Sequence, residues 1–484
     1  MASFVIHHIV GSKVLSILEN EYGINLSERQ KQKFLLGNLI ADSSKLKLEI
    51  KEGATDEDIK EAKWKHKKLV QVEKKETHFR SDDDANLCIQ APVLEKFISK
   101  YGNLLESDIS SLGYLAHLYT DKYWFEDLFP KTFDTVDDNL NPTIYLKEAT
   151  NIRVTKTGKV YSVKEFLGNK GEGSIYDDYT IMNKMLLEGN GIIFDTEGLI
   201  SILGDIKNPG IEEVDYSKIV GVITKTAGFI KESYEMDNKP LSVFKAENVQ
   251  PFIEMCARNF IEDNFEYLKD LEAKNIVFAS NSKNKLREVR QILEPLGLEV
   301  LSLKDVNVNI DPEETGLTFS ENALLKAEAI YNEIVKVTGR SIPVIADDTG
   351  LCINSLNGFP GIMTKRFADG DEEEKNDLLI KMVNEKGSDR TAAVKTAIGY
   401  YDGKNSFAHE SAIPGLITEE QRGENGFGYD PIFVPSINNP KEKTMAEMSS
   451  EEKNLINSRG IALQECSLAI MENSMNHHTH TRRR

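Results

Sequence analysis

Residues 274–303, KNIVFASNSKNKLREVRQILEPLGLEVLSL, decide how the second half of this chain is read. NIVFAS has the β-branched character of a short strand, a polar turn follows, and KNKLREVRQILEPLG has the spacing of an amphipathic helix before the strand LEVLSL. The alternation continues in the helix ENALLKAEAIYNEIVKVTG (321–339) and the strand SIPVIAD (341–347), which predicts an α/β domain. Upstream the period is different. VGSKVLSILENEYG, VLEKFISKYGNLL and FIEMCARNFIEDNFEYLKDL repeat their apolar residues at helical spacing and predict an all-α domain over 1–270. Within it, KTGKVYSVKEFLGNKGEGS (156–174) predicts a long loop or small hairpin. The change of period near 271–275 makes the chain multidomain, with a second domain over 275–472. Residues 473–484, which end in NHHTHTRRR, are expected to form a disordered tail.

A chain of 484 residues exceeds one ordinary core. Its 78 acidic and 59 basic residues leave a net charge of −19, which argues against broad nucleic-acid or anionic-membrane binding. A small anion could still bind at a local lysine cluster or through a divalent cation. The four cysteines are scattered without metal-ligand spacing and read as reduced thiols. The N-terminus carries histidines where a signal peptide needs an apolar core, and no apolar run approaches bilayer length. A cytoplasmic protein without a membrane partner is expected.

The strand SIPVIAD runs into a second carboxylate, giving ADDTGL with Asp347 and Asp348 side by side. Neighbours on a strand point to opposite faces, so a central strand cannot turn both to water. An ordinary strand end entering a turn is one reading; a catalytic edge that holds a metal and works on a water is the other. Three further stretches place polar chemistry at element ends. ASNSKNK (279–285) lies between strand and helix, where backbone amides, Lys283 and Lys285 can face an anion. EETGLTFSENALLKA (313–327) offers Glu313, Glu314 and Lys326. NGFGYDPIF (425–433) is a glycine-rich aromatic turn in which Phe427 could stack on a planar ring.

Together with MAEMSSEEKNLINSRGIAL (445–463), these motifs resemble the inosine triphosphate pyrophosphatase family, also called Ham1, over roughly 275–472. The resemblance implies a mixed α/β sheet with a cleft between two lobes, and usually a homodimer. It implies hydrolysis of ITP, dITP and XTP to monophosphate and pyrophosphate with Mg2+, which would cleanse the nucleotide pool. Ser280, Asn281, Lys283, Lys285 and Lys326 would hold the triphosphate. Glu314, with Glu313 adjacent, would bind magnesium; Asp348 would serve the metal and act as general base, supported by Asp347. Thr349 would join the substrate contacts. Phe427, Gly428, Tyr429 and Asp430 would line the base and sugar pocket, and Lys453, Ser458 and Arg459 would close the site. The family's serine-histidine-arginine signature reads Asn457-Ser458-Arg459 here, so weaker discrimination among purine bases is expected.

In the first domain, His117 and Asp121 of LGYLAHLYTDKYW are four residues apart on one helix face, able to share a metal. A histidine in an apolar helix is otherwise a packed core residue. His7, His8, Asp42, His66 and His78 add to the concentration. The set resembles the zinc-dependent phospholipase C and P1 nuclease superfamily, which implies an all-helical metal-dependent phosphoester hydrolase holding Zn2+ or another transition metal. No histidine occurs between His117 and His409, so the downstream histidine ligands of that superfamily are missing, and a site with fewer metals is expected unless carboxylates such as Asp177 or Asp178 substitute. Three functions are thereby set apart: a bifunctional hydrolase, a pyrophosphatase carrying a non-catalytic binding or regulatory module, and a nucleotide sensor.

Overall fold

The structure, a computed structural model, describes residues 3–44, 46–50, 67–71, 74–81, 86–168, 174–236, 239–271, 274–449, 452–453 and 456–481. The chain divides into two compact units, Met1–Leu271 and Glu272–Arg484.

Unit 1 is built on long helices: α1 (Phe4–Asn20), α2 (Glu28–Ile40), α3 (Leu94–Ser107), α4 (Ile109–Tyr123), α5 (Ile175–Asn190), α6 (Ile219–Glu235) and α7 (Ala246–Leu268). Ser27 starts α2 with a capping box, and Asp108 starts α4 by accepting from the Ser111 amide at 2.7 Å. α2 and α4 touch backbone to backbone, because a Cβ on Gly37 would lie 1.8 Å from Ser110 O and one on Gly113 1.9 Å from Phe34 O. The expectation of an all-α domain is corrected. β1 (Leu46–Ile50) and β2 (Lys67–Gln71) pair antiparallel, and β3 (Phe133–Val136), β4 (Asn151–Val154) and β5 (Val160–Ser162) form a three-stranded sheet. Strands of three to five residues alternate too briefly to stand out against neighbouring helical periodicity.

Unit 2 holds a six-stranded mixed sheet in the order β11-β10-β9-β8-β6-β7. Its strands are β6 (Asn275–Phe278), β7 (Glu299–Leu301), β8 (Val344–Ile353), β9 (Thr391–Tyr401), β10 (Ser406–Ile417) and β11 (Phe433–Pro435). β6 runs parallel to β7 and β8, while β8, β9, β10 and β11 pair antiparallel. The helices are α8 (Lys283–Leu293), α9 (Phe319–Thr338), α10 (Glu372–Lys386) and α11 (Ser458–Thr481). Two cores cover opposite faces of the central strands. Ile276, Phe278 and Ile345 pack with residues of α8 and α11, while Val277, Val344 and Ala346 pack with α9. This is the period of two read along β6 and β8. The disordered tail expected from residue 473 is corrected, since α11 continues to Thr481. Neither glycine nor proline follows Gly460, so the local sequence holds no breaker to stop the helix.

Candidate active site

The two faces of β8 separate the adjacent carboxylates. Asp347 points the way of Ile345, towards α8 and α11; Asp348 points the way of Ala346, towards α9. Both are buried. Asp347 Oδ2 receives Lys285 Nζ at 3.0 Å, Arg459 Nε at 2.9 Å and the Thr349 hydroxyl at 3.2 Å. Burial alone would raise its pKa, but Lys285, Arg459 and Lys326 hold it far below the usual carboxylate range. Asp348 Oδ2 accepts a single amide hydrogen bond, from Asn322 Nδ2 at 3.0 Å. Burial lifts its pKa, the Asn322 bond opposes this, and the neighbouring Glu314 charge pushes it further up. One aspartate is therefore a locked anion, and the other a carboxylate close to Glu314 with a raised proton affinity.

Of the other residues expected at this site, Lys285, Lys326, Thr349 and Arg459 bond to Asp347, Glu314 acts on Asp348 by its charge, and Ser458 is linked through Thr396 and Thr349. Ser282 caps α8, and its amide bonds the Ser280 hydroxyl at 3.2 Å. Lys285 on the first turn of α8 is pushed below its usual pKa by burial in spite of Asp347. Asn281 and Lys283 are exposed on the same turn. Lys326 on α9 reaches Glu314 Oε1 at 2.7 Å and the Asp347 carbonyl at 3.2 Å. Glu314 is half-buried, whereas Glu313 next to it is exposed. At the glycine-rich turn, Lys453 pairs with Asp430 and lies 5.8 Å from the Phe427 ring centroid. Gly426 allows this closeness: its φ is +104°, and a Cβ there would lie 2.1 Å from Asp430 Oδ2. Gly428 donates its amide to Glu372 at 2.6 Å, and burial drives the Tyr429 phenol well above its ordinary pKa. Ser458 is buried, with its hydroxyl 2.7 Å from Thr396, which is 3.0 Å from Thr349.

Four residues here escape sequence reading. Asn322 bonds Asp348 and also accepts the Gly316 amide at 2.8 Å, tying the Glu314 loop to the carboxylate strand. Glu288 receives Asn457 at 3.0 Å and pairs with Arg459. Arg366 holds Glu314, and Thr396 joins Ser458 to Thr349. Only Glu288 carried a usable signal, lying one helical turn beyond Lys285 on the same face. Glu314 and Asp348 are hard oxygen donors with mutually unfavourable charge, a set that fits a magnesium ion.

Unit 1 brings together a second cluster. His7, His117 and Asp121 present ligand atoms within 4.8 Å of one another, and so do Asp42, His78 and His117. His117 Nδ1 meets the Asn38 carbonyl at 2.8 Å and must donate to it, which leaves Nε2 unprotonated. That Nε2 is 3.1 Å from His78 Nε2, near the roughly 3.3 Å that separates two nitrogens on a tetrahedral zinc. His7 Nε2 and His78 Nε2 lie 3.4 and 3.5 Å from the Asp121 carboxylate, and the His7 and His117 rings stack at 3.6 Å. Asp42 also lines a cavity of about 810 Å3, walled by Phe125, Phe129, Phe166 and Tyr179. His8 is a correction: it lies outside both groups, packed edge-on against Phe194 at 4.7 Å, and burial lowers its pKa to about 4. His66 lies outside the described residues. Asp178 does not join the cluster among the described residues, because its carboxylate caps the amides of Ser242, Val243 and Phe244.

Among the described residues no helix is long and apolar enough to cross a membrane. A family model described as the Ham1 family matches residues 276–468. A dITP/XTP pyrophosphatase of Bacillus licheniformis is 43% identical over 204 residues, which cover 41% of this chain and 98% of that protein. The dITP/XTP pyrophosphatase of Bacillus subtilis is 41% identical over 199 residues, 40% of this chain and 96% of the relative. A solved HAM1 protein from Coxiella burnetii shares 35% identity over 41% of this chain and 98% of its own, with a TM-score of 0.37. The family match leaves residues 1–275 uncovered, and the resemblance of unit 1 to the zinc phospholipase C and P1 nuclease superfamily gains no support from these comparisons. Through residues 276–468, the chain belongs to the Ham1 family.

Proposed function

We propose that unit 2 hydrolyses ITP, dITP and XTP to the monophosphate and pyrophosphate. The observation that carries this reading is the division of labour on β8: Asp347 is neutralised by Lys285 and Arg459, while Asp348 keeps a raised proton affinity beside Glu314. Asp348 takes the proton of the attacking water as its base. Glu314 and Asp348 would hold magnesium, which supplies charge neutralisation for the phosphates. Lys285, Lys326 and the amides of 280–282 bind the triphosphate, with Asn281 and Lys283 at the outer edge. We place the purine in a cleft between two lobes, against Phe427 and Tyr429, with Lys453 closing over it. A homodimer through unit 2 and a reducing, cytoplasmic compartment belong to the same reading; the four cysteines are unpaired. Pyrophosphate release from each triphosphate by the full chain, with and without magnesium, tests it. Absence of release from all three would overturn it.

The geometry of unit 1 favours a second reading, a transition-metal site on His7, His78, His117, Asp121 and Asp42. Three imidazoles and two carboxylates crowd together, and the His117 and Asn38 contact turns a ligand nitrogen inward. Whether this site hydrolyses a phosphoester or only binds is separated by assaying phosphodiesters with the metal-loaded chain. Zinc, cobalt and manganese content after dialysis reads the site itself.

A further inference from the structure

Both oxygens of Glu314 are occupied by protein cations. Oε1 meets Lys326 Nζ at 2.7 Å and Oε2 meets Arg366 Nη1 at 2.6 Å, while Arg366 Nη2 also donates to the Glu314 carbonyl at 3.1 Å. A divalent cation competes for those same oxygens, and positive charges crowded on one carboxylate repel one another. Metal binding therefore favours release of the protein cation held less firmly. The two are not equivalent. Lys326 is 15% exposed and is also held by the Asp347 carbonyl, whereas Arg366 is 41% exposed. Arg366 is therefore the one that yields.

Its freedom is limited to the side chain, because the turn beneath it is pinned to β8. Thr364 Oγ1 accepts the Leu351 amide at 2.9 Å and donates to the Gly361 carbonyl at 2.6 Å, and the Arg366 amide reaches the Met363 carbonyl at 2.8 Å. Leu351 is three residues beyond Asp348 on that strand. A guanidinium released here stays beside the metal ligands, where a triphosphate's negative oxygens arrive with the cation.

Resting on the pyrophosphatase reading, we propose that Arg366 is a phosphate-binding residue held in reserve. It occupies Glu314 until a divalent cation takes that carboxylate, and then turns to the phosphate chain of the nucleoside triphosphate.

The experiment compares the full-length wild type, R366A and R366K by electron paramagnetic resonance of free Mn2+ without nucleotide, and by steady-state kinetics with ITP. R366A is expected to bind Mn2+ roughly two- to fivefold more tightly, because a competitor for Glu314 is gone. Its KM for ITP is expected to rise about tenfold with a smaller change in kcat, and R366K to recover part of that loss. Unchanged or weaker Mn2+ binding in R366A would show that Arg366 merely shapes the ligand loop, and would overturn the proposal. Tighter Mn2+ binding with an unchanged KM would equally remove its phosphate role. The Mn2+ titration needs no turnover, so it is read even if the wild type releases no pyrophosphate from any purine triphosphate, the result that would instead defeat the parent reading.

Discussion

Arg459 Nε donates to Asp347 Oδ2 at 2.9 Å across 112 residues of sequence, and the same guanidinium pairs with Glu288 on α8. This contact holds Asp347 as a buried anion, and on the proposed reading the chemistry falls to its neighbour. Asp347→Ala strands Arg459 and Lys285 with less negative charge in a buried setting. A loss of about 3 kcal/mol is expected. Calorimetry of the full chain should show the unit 2 transition lowered, while tryptophan fluorescence from unit 1 stays in place. A variant as stable as wild type would deny the anion its role.

Asp348→Asn should fold normally and lose turnover, since an amide neither accepts the proton nor balances a cation. A fall in kcat of at least about a hundredfold is expected for ITP. The raised pKa of Asp348 also fixes a direction with pH. That direction belongs to the carboxylate without its cation; bound magnesium would lower the proton affinity, so the acid limb of kcat should move to lower pH as the magnesium concentration is raised. Pyrophosphate release measured between pH 4 and pH 8 checks both points.

Ser458, the middle residue of Asn457-Ser458-Arg459, has its hydroxyl engaged with Thr396 and linked through Thr349 to Asp347. Ser458→Ala should cost about 1 kcal/mol of stability. The ratio of kcat/KM for ITP over ATP should stay within about twofold of wild type, because a hydroxyl already committed to Thr396 reads the base little. A large swing in that ratio would make Ser458 a direct reader of the purine.

His117→Ala combined with Asp121→Ala should abolish retention of transition metal by the full chain and lower the stability of unit 1. ITP hydrolysis should persist, because the residues belong to the other unit. Metal content equal to wild type, measured by plasma mass spectrometry, would make the cluster a packed polar core.

His8 gives unit 1 an acid sensitivity of known sign. Its folded pKa falls from 6.5 to about 4 because burial disfavours the charged ring. Between those values the unfolded chain binds a proton that the folded chain refuses. Stability is therefore complete above pH 6.5 and is lost as pH falls towards 4, by roughly 3 kcal/mol in full. Trp64 and Trp124, both within residues 1–271, report this unit in the intact chain. Their urea midpoint should drop between pH 7 and pH 5, and His8→Phe should flatten part of the slope. An identical slope in the variant would assign the sensitivity elsewhere.

Local patterns in the sequence determined the α/β character of residues 275 onward, the strand that carries Asp347 and Asp348, the polar turn at 279–285 and the glycine-rich aromatic turn; the pattern stops that strand at the carboxylates, whereas β8 runs through them from Val344 to Ile353. Each rests on residues within one or two turns of chain, where spacing and capping act directly. The short strands β3 and β4 carried too few alternating positions to be seen, although β5 falls in the stretch expected to form a long loop or small hairpin, and the continuation of α11 to Thr481 went unread because polar histidines mask an unbroken helix. Tertiary structure alone decided which aspartate is paired with cations and which meets only an amide. The partners of Asp347 come from 62 and 112 residues away, and its charge is neutralised only once α8 and α11 cover one face of β8. Tertiary structure likewise chose His7 over His8 for the cluster and set Arg366 on Glu314. Charge pairing falls off within a few ångströms, so the chain must be folded before such partners exist.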